Sequence, residues 1–580
     1  MGLRICLVSP FSLSQPHDVN EHVTGLADGL RELGHMVTVL APSGRANDLL
    51  AGRRALADGT ASGGAPVIAL GPAVPISRRS SLGVPVGVRA NLSLALAQGA
   101  FDVVHGFEPA LPSLSYLALK DTSSLAVATF LSADRVAYPP GRAQRARLLT
   151  RLDALLATST EVADAVGVRF PGEYRIVSPG VDTELFRPSE KERTIVAEWR
   201  PDERPLARGL LRLLRGLPGW ELILMRTKPL SGRPSISPAV RGRVHVKTAR
   251  SGLERAPVLN PAAIFVPATG GLGRLSLEAA AAGAAIAAPA GVRDQPELAS
   301  AAVARLVEDE SLRERKGEEA RRGAEGQSFA AVARELDELY RSLGGRKRPR
   351  RRERDPLADR DWIVCDLHMH TSWSHDCSVE VGELLDAAEE AGLGAIAVTD
   401  HNAFGGALEA AELVRDRPLQ VIRGEEIKTD GQGEVIGLFL EREIPARMSF
   451  ADTVHAIREQ GGLVYVPHPF DRMHTVPDSS MLHRHLAELD VIEVYNARLL
   501  FETDNDEALR FARKYNLTMG AGSDAHVLPG IGTGAVRMRA FHGPEEFLIS
   551  LRSAEILRRP KSLVYLQGLK WVAQAKERVR

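Results

Sequence analysis

Residues 366–371 read Asp-Leu-His-Met-His-Thr, and Asp376 stands six positions after the second histidine. Side chains on a strand alternate between two faces, so His368 and His370 share one face. The run before them, Trp362-Ile-Val-Cys365, is apolar and β-prone, which predicts a strand leading into the pair. Two neutral imidazoles on one face are the start of a metal site. By itself His-x-His is a weak signal, and the downstream residues decide its meaning.

The same event repeats along the second half of the chain. A helical pattern over 379–391 closes at Gly392, and residues 394–401 read as a buried strand ending in Asp400-His401. Further strand patterns end in Gly424-Glu425-Glu426, in Pro467-His468, in Glu493 to Asn496, and in Ser523-Asp524-Ala525-His526. A lone His or Asp at a strand end is usually a cap or a satisfied polar group. Six successive strands ending this way point instead to a β/α barrel, whose C-terminal rim assembles chemistry.

At 580 residues the chain predicts two or three domains. It is 44% hydrophobic and 25% charged, as in globular proteins, and its formal net charge of zero argues against a nucleic-acid polymer as partner. Cys6, Cys365 and Cys377 are too few and scattered for a disulfide framework, which predicts a cytoplasmic protein. The N-terminus reads as a first strand rather than a signal peptide, and no apolar run is long enough to span a bilayer. Five histidines precede residue 360 and eleven come after it, so metal chemistry is expected in the second half alone. Between Arg346 and Arg354 seven of nine residues are basic, a self-repelling run read as linker, with an anion-binding patch as the alternative. The expected divisions are 1–345 (halves near 1–170 and 171–345), a linker at 346–360, and 361–580. The last of these is expected to end in a helical tail. In the tail, Leu557 to Arg580, apolar residues are interspersed with Lys and Arg; packing on its own domain is expected, and lying on a membrane surface is the alternative.

In the first half, residues 3–9 form a buried strand pattern, Glu21 to Leu33 an amphipathic helix stopped by Gly34, and Val37–Leu40 a second strand. The alternation continues at Phe101–His105, Leu125–Phe130 and Ala154–Thr158, and again at Trp220–Met225 and Ala263–Val266. This predicts two doubly wound parallel α/β units with a ligand cleft between them. Residues 51–100, rich in Gly, Ala, Ser and Pro, suggest no function.

The opening forty or so residues, the segment RIVSPGVDTELFRP (175–188) and GRLSLEAAAAGAAIAAP (273–289) resemble the retaining, nucleotide-sugar-dependent glycosyltransferases of family 4. That resemblance, over about 1–340, implies the GT-B fold, two Rossmann-like halves around a donor cleft. The expected active-site residues are mostly replaced. Where the family has a Gly-Gly pair, this chain has His17-Asp18-Val19. Of two glutamates eight apart, the second is present as Glu278 and the first is Gly270. Arg200 is the one stand-in for the cations that neutralise the donor diphosphate. If the cleft has lost its chemistry, Glu278 is expected to be an ordinary first-turn helix carboxylate.

The ordered set His-x-His, Thr-Asp-His, Gly-x-Glu, His-Pro and Gly-Ser-Asp-Ala-His resembles the PHP (polymerase and histidinol phosphatase) family over about 362–545. The resemblance implies a distorted β/α barrel, two or three divalent metals and phosphoester hydrolysis. By motif, it implies that His368, His370, Glu426 and Asp524 hold one metal. Glu426 would bridge to a second, completed by His468 and a group near Glu493 or Asn496. Asp376, His401 and His526 would hold a third. Glu426 is taken over Glu425 because the family's glutamate stands second after the glycine; Glu425 is the alternative. The mixed ligand set suits zinc, manganese or iron. Asp400 is a candidate to orient a ligand or shuttle a proton beside His401. Arg472 and Arg498 are candidate phosphate clamps, with surface salt bridges as the alternative. His375, His455, His474, His483, His485 and His542 match no motif position, and Cys377 is expected to be a packed thiol.

The leading expectation is a metal-dependent phosphoesterase for a small phosphate monoester or nucleotide phosphate, carried beside a glycosyltransferase-like module that has lost its chemistry. The alternatives are a sugar-nucleotide glycosyltransferase with an accessory PHP domain, and a GT-B cleft that only binds and regulates.

Overall fold

The computed structural model describes residues 2–59, 67–75, 83–200, 204–227, 234–268, 273–288, 296–348, 356–473, 475–477 and 479–559. Gly270, His474, most of the basic run after Lys347 and the tail beyond Arg559 therefore lie outside the described residues. The chain divides into two compact units, Met1–Gly344 and Gly345–Arg580.

The first unit holds two parallel sheets. One contains β1 (Arg4–Val8), β2 (Met36–Ala41), β3 (Val67–Ala69), β4 (Val103–Phe107), β5 (Leu125–Phe130), β6 (Ala154–Ala157) and β7 (Tyr174–Ile176), in the order β3-β2-β1-β4-β5-β6-β7. The other contains β8 (Glu192–Glu198), β9 (Glu221–Arg226), β10 (Val244–Thr248), β11 (Ala262–Val266) and β12 (Ala285–Ile286), in the order β10-β9-β8-β11-β12. Both are doubly wound, the expected GT-B architecture, and central strands such as β4, β5 and β11 are buried along their whole length because helices cover both faces. Helix α1 (Asp18–Glu32) begins three residues before the sequence pattern, with the His17 ring accepting from Val19 N as its cap. In the second half lie α2 (Gly252–Leu259) and α3 (Arg274–Ala281). Helix α4 (Phe329–Gly344) returns to the first sheet: a Cβ at Gly25 of α1 would lie 2.3 Å from the Phe329 ring, and Tyr340 bonds His105 at 2.6 Å.

The second unit is a nine-stranded sheet, β19-β18-β17-β16-β15-β14-β13-β20-β21. Its strands are β13 (Trp362–Met369), β14 (Ala395–Val398), β15 (Gln420–Lys428), β16 (Glu434–Leu438), β17 (Leu463–Val466), β18 (Val491–Asn496), β19 (Thr518–Gly522), β20 (Gly534–Arg539) and β21 (Glu555–Arg558). The sheet curls until β13 meets the end of β19, where Asp524 N donates to His368 O (2.8 Å) and His370 N to Ala525 O (3.1 Å), giving a nearly closed barrel. It is less regular than a parallel β/α barrel. Strand β16 pairs antiparallel with β15 and β17, and β20 and β21 extend the sheet antiparallel beyond β13. Leu557, expected at the start of a helical tail, is in edge strand β21. No helix of the described residues is long and apolar enough to cross a membrane.

Candidate metal centre

The second unit's polar core begins with strand alternation. Cys365, Leu367 and Met369 point into the apolar interior, while His368 and, just past the strand end, His370 point the other way, all of them fully buried. Asp366 fastens this strand to the loop that brings in Asp524, accepting from Ser523 N and Gly532 N, both at 2.9 Å. Gly522 is required by the same approach: a Cβ there would stand 2.3 Å from the His368 Cβ. His468 and Asp524 take positive φ values of 25° and 51°, a costly backbone conformation for residues with side chains, and both sit where strands turn toward the site.

Glu426 is the hub. Its carboxylate lies 3.0 Å from His401 Nδ1, 3.2 Å from His468 Nε2, 3.4 Å from His368 Nε2 and 3.5 Å from His370 Nε2. Glu425, one residue earlier, faces away and accepts from Ile444 N at 2.9 Å; burial pushes its carboxyl up to about 7. Asp524 Oδ1 stands 3.4 Å from His370 Nε2 and 3.9 Å from His368 Nε2. Asp376 lies 3.1 Å from His526 Nε2 and 3.8 Å from His401 Nε2. Three groups among the described residues have ligand atoms within 4.8 Å of one another: His370–His401–His526, His368–His370–Asp524 and His368–Glu426–His468.

The centre is electrostatically divided. Burial would lower His368, His401 and His468, but the carboxylates of Glu426, Glu493, Asp376 and Asp524 outweigh it. His368 rises well above the ordinary imidazole range, and His401 and His468 each reach about 9. His370 goes the opposite way, held well down by burial and by the neighbouring His526 and His401. His526 is lowered by burial and the Arg498 guanidinium. Burial would raise Glu426 and Asp524, yet the surrounding imidazoles and Arg498 hold both well below the carboxylate range.

These atoms fit divalent metals. His370 Nε2 is buried without a hydrogen-bond partner, although two carboxylate oxygens face it. A buried nitrogen lone pair facing converging carboxylate oxygens is an arrangement that a divalent cation between them would satisfy. Zinc, manganese and iron all accept such mixed ligands.

Several sequence expectations change on the structure. Glu493 does not complete a metal shell: its Oε1 bonds His368 Nδ1 (3.1 Å) and the Tyr465 hydroxyl (3.0 Å), and its Oε2 accepts from His468 N (2.8 Å) and Asn496 Nδ2 (3.0 Å). It orients His368 from behind. Asp400 faces no ring. It accepts from Thr371 N, Thr371 Oγ1 and Ser374 Oγ at 2.7, 2.7 and 2.6 Å, so its hydrogen bonds go to the loop after His370 rather than to the His401 ring. Arg498 reaches the centre, with Nη1 3.2 Å from Asp524 Oδ1 and 3.1 Å from the His526 ring. Arg472 instead pairs with Asp504 and lies over the Phe501 ring at 4.4 Å. Glu434 was missed; on the unforeseen β16 its Oε2 stands 3.9 Å from His468 Nε2, and the Asp430-Gly431 turn dipeptide is the sequence signal for that hairpin. Cys377 is a buried thiol against the carbonyls of His370 and His526. Of the unassigned histidines, the His375 ring lies 5.5 Å from the His401 ring, tilted by 50°, while His455, His483 and His485 pair with Glu459, Tyr515 and Glu488 away from the centre, and His542 precedes a helix.

In the first unit the expected donor residues pair with each other. Glu278 sits in the second turn of α3, not the first, and is buried. It receives Arg255 Nε (2.6 Å), Arg255 Nη2 (2.7 Å) and Arg274 Nε (2.8 Å). Both arginines also reach Glu21 of α1, at 2.7 and 2.6 Å, and Gly252 N donates to the same carboxylate at 2.9 Å. Arg200 is taken up by Glu198 at 2.7 Å.

The chain matches three family descriptions: Glycosyltransferase Family 4 over residues 19–185, PHP domain over 366–507, and PHP-associated over 502–556. It is similar to two uncharacterized proteins of Methanocaldococcus jannaschii. One is 36% identical over 156 residues, 25% of this chain and 65% of the relative; the other is 36% identical over 147 residues, 23% of this chain and 82% of the relative. It is also similar to a phosphatidyl-myo-inositol mannosyltransferase of Propionibacterium freudenreichii subsp. shermanii, 33% identical over 230 residues, 38% of this chain and 56% of that enzyme. The chain thus spans only about two thirds of the first of these relatives and little more than half of the mannosyltransferase.

Proposed function

Because the chain belongs to the PHP family through residues 366–507 and joins that domain to a glycosyltransferase family 4 region, we propose that its second unit is a metal-dependent phosphoesterase. The observation that carries this reading is Glu426, one buried carboxylate within 3.0–3.5 Å of four imidazoles. His368, His370, Glu426 and Asp524 would hold one cation, Glu426 and His468 a second, and Asp376, His401 and His526 a third. Divalent cations held there acidify water and stabilise charge on a phosphoryl group. The chain's own residues do the rest. Arg498, anchored between Asp524 and His526, presents its remaining donors to a phosphate and shields that phosphate from the carboxylates. Glu493 keeps His368 aimed at the hub. The substrate is a small phosphate monoester or nucleotide phosphate, and the metals are zinc, manganese or iron.

The first unit is proposed as a scaffold that has lost transferase chemistry. Its two arginines near the inter-sheet cleft are already neutralised by Glu21 and Glu278. The charged groups lining the adjoining cavity of about 300 Å³ are Glu21, Asp28, Asp182 and Glu278 against the one cation Arg274, a net negative wall that disfavours a diphosphate. The three cysteines are free and buried, which supports a reducing, cytoplasmic setting.

The test is elemental mass spectrometry of the purified chain with phosphate release from a panel of phosphoesters, on wild type and His370→Ala. Two or three bound metals and a hydrolysis lost in the variant are expected. A metal-free, inactive wild type overturns the reading, and turnover of a nucleotide sugar that depends on Glu278 would move the activity to the first unit.

A further inference from the structure

Ser374 lies behind the centre, buried, in the loop after His370, and its one oxygen makes three hydrogen bonds. It is 2.6 Å from Asp400 Oδ1, 3.1 Å from His370 Nδ1 and 3.0 Å from His401 N. A hydroxyl has one proton and two lone pairs, so the three roles can be assigned. Asp400 takes two further donors from Thr371 and acts as acceptor throughout; the hydroxyl proton is therefore committed to Asp400. The backbone amide of His401 can only donate. The hydroxyl can then meet His370 Nδ1 only by accepting a proton from it.

We propose that Ser374, held by Asp400, is a positioning residue that fixes His370 as the Nδ1–H tautomer and so prepares its Nε2 lone pair for metal. This rests on the metal-centre reading above. A neutral imidazole carries one ring proton, so placing it on Nδ1 leaves Nε2 bare. That bare nitrogen faces Glu426 Oε2 at 3.5 Å and Asp524 Oδ1 at 3.4 Å, lone pair against anion. The other tautomer would relieve this by donating Nε2–H to either carboxylate, closing the site without a cation. Ser374 makes that escape costly, because Nδ1 would lose its proton opposite an oxygen that has none to give. His370 is thus held in the arrangement that repels its neighbours until a cation lies between them. Glu493 meets Nδ1 of His368 at 3.1 Å and the Asp524 carbonyl meets Nδ1 of His526 at 2.9 Å. For His370 the acceptor is a neutral hydroxyl, which directs the proton without adding another charge beside the carboxylates.

Ser374→Ala removes the acceptor and lets His370 choose its tautomer. Expected is about a 10- to 100-fold weaker affinity for Zn²⁺ and Mn²⁺ in chelator competition, the scale for losing a ligand's outer partner, with Ser374→Thr restoring most of it. The direct readout is the long-range ¹H–¹⁵N histidine spectrum of the metal-stripped full chain. Wild type should show His370 protonated at Nδ1, and Ser374→Ala should shift toward Nε2–H. A wild-type His370 protonated at Nε2 overturns the proposal whether or not the variants fold. So does Ser374→Ala binding metal as tightly as wild type. A wild type that binds no metal at all instead removes the reading beneath it.

Discussion

Proton and metal compete for the same nitrogens in this centre, and the pH dependence of that competition can be worked out. His401 and His468 are each raised to about 9 in the metal-free fold, after burial is outweighed by Glu426 and the neighbouring carboxylates. At pH 7 each is almost wholly protonated, and a cation must expel the proton to use the nitrogen. Two pH units of competition correspond to about 100-fold in apparent affinity, or roughly 2.7 kcal/mol per histidine. Between pH 7.5 and 8.5 an ordinary imidazole, near 6.5, is already neutral and would give no slope. Here the affinity for Zn²⁺ should rise about tenfold over that single unit for each such histidine engaged. The linkage has the opposite sign for metal-free stability. A folded value above the unfolded one contributes stability that is complete below about 6.5 and lost as pH climbs through about 9. Metal-free protein should therefore melt lower at pH 9 than at pH 7, while metal-loaded protein should not. Competition with a chelator of known protonation constants at pH 6.5, 7.5 and 8.5 measures the first effect, and calorimetry in two buffers counts the protons released. A flat affinity from pH 7.5 to 8.5 with no proton release would refute the argument, because it would mean those nitrogens are neutral before metal arrives.

Side-chain direction and burial give two further outcomes. Glu426→Gln should strip bound metal and abolish phosphate release, whereas Glu425→Gln should keep both, since Glu425 only accepts from Ile444 N; metal content and turnover of the two variants check this. Arg255→Met should destabilise the chain by about 3–5 kcal/mol in denaturant unfolding, because it leaves Glu278 buried beside a single remaining arginine, and pairing it with Glu278→Leu should recover much of the loss.

Legibility in the sequence tracks the range of the interactions. The His368–His370 pair was legible because strand alternation is local. Glu426 was preferred to Glu425 only by the position of the glutamate in the motif the chain resembles, and the fold turns Glu425 away toward Ile444 N. The doubly wound sheets were legible because apolar strands and amphipathic helices repeat at short period. Strand β16 escaped: it is five residues long and enters antiparallel after a turn, where a β/α rhythm expects a helix. Glu434 went unnoticed with it.

The contacts that the sequence did not disclose belong to side chains whose partners are distant in sequence or unremarkable in type. Asp400 stands beside His401 in sequence, yet its partners are Thr371 and Ser374, 29 and 26 residues away, and a hydroxyl carries no metal signature. Arg255 and Glu21 are 234 residues apart, so no local pattern joins them. A ligand set is constrained by what it must chelate, so it leaves a readable order of residue types. The groups that aim the ligands need only one correctly placed donor or acceptor, which many residues supply and only the folded backbone can locate. Glu278 shows the difference from the other side: it keeps a motif position, but Arg255 and Arg274 have made it one end of a structural ion pair. Identity at one motif position is therefore weak evidence for activity in the first unit, while agreement of five spaced motifs around Glu426 is strong evidence for a metal site in the second.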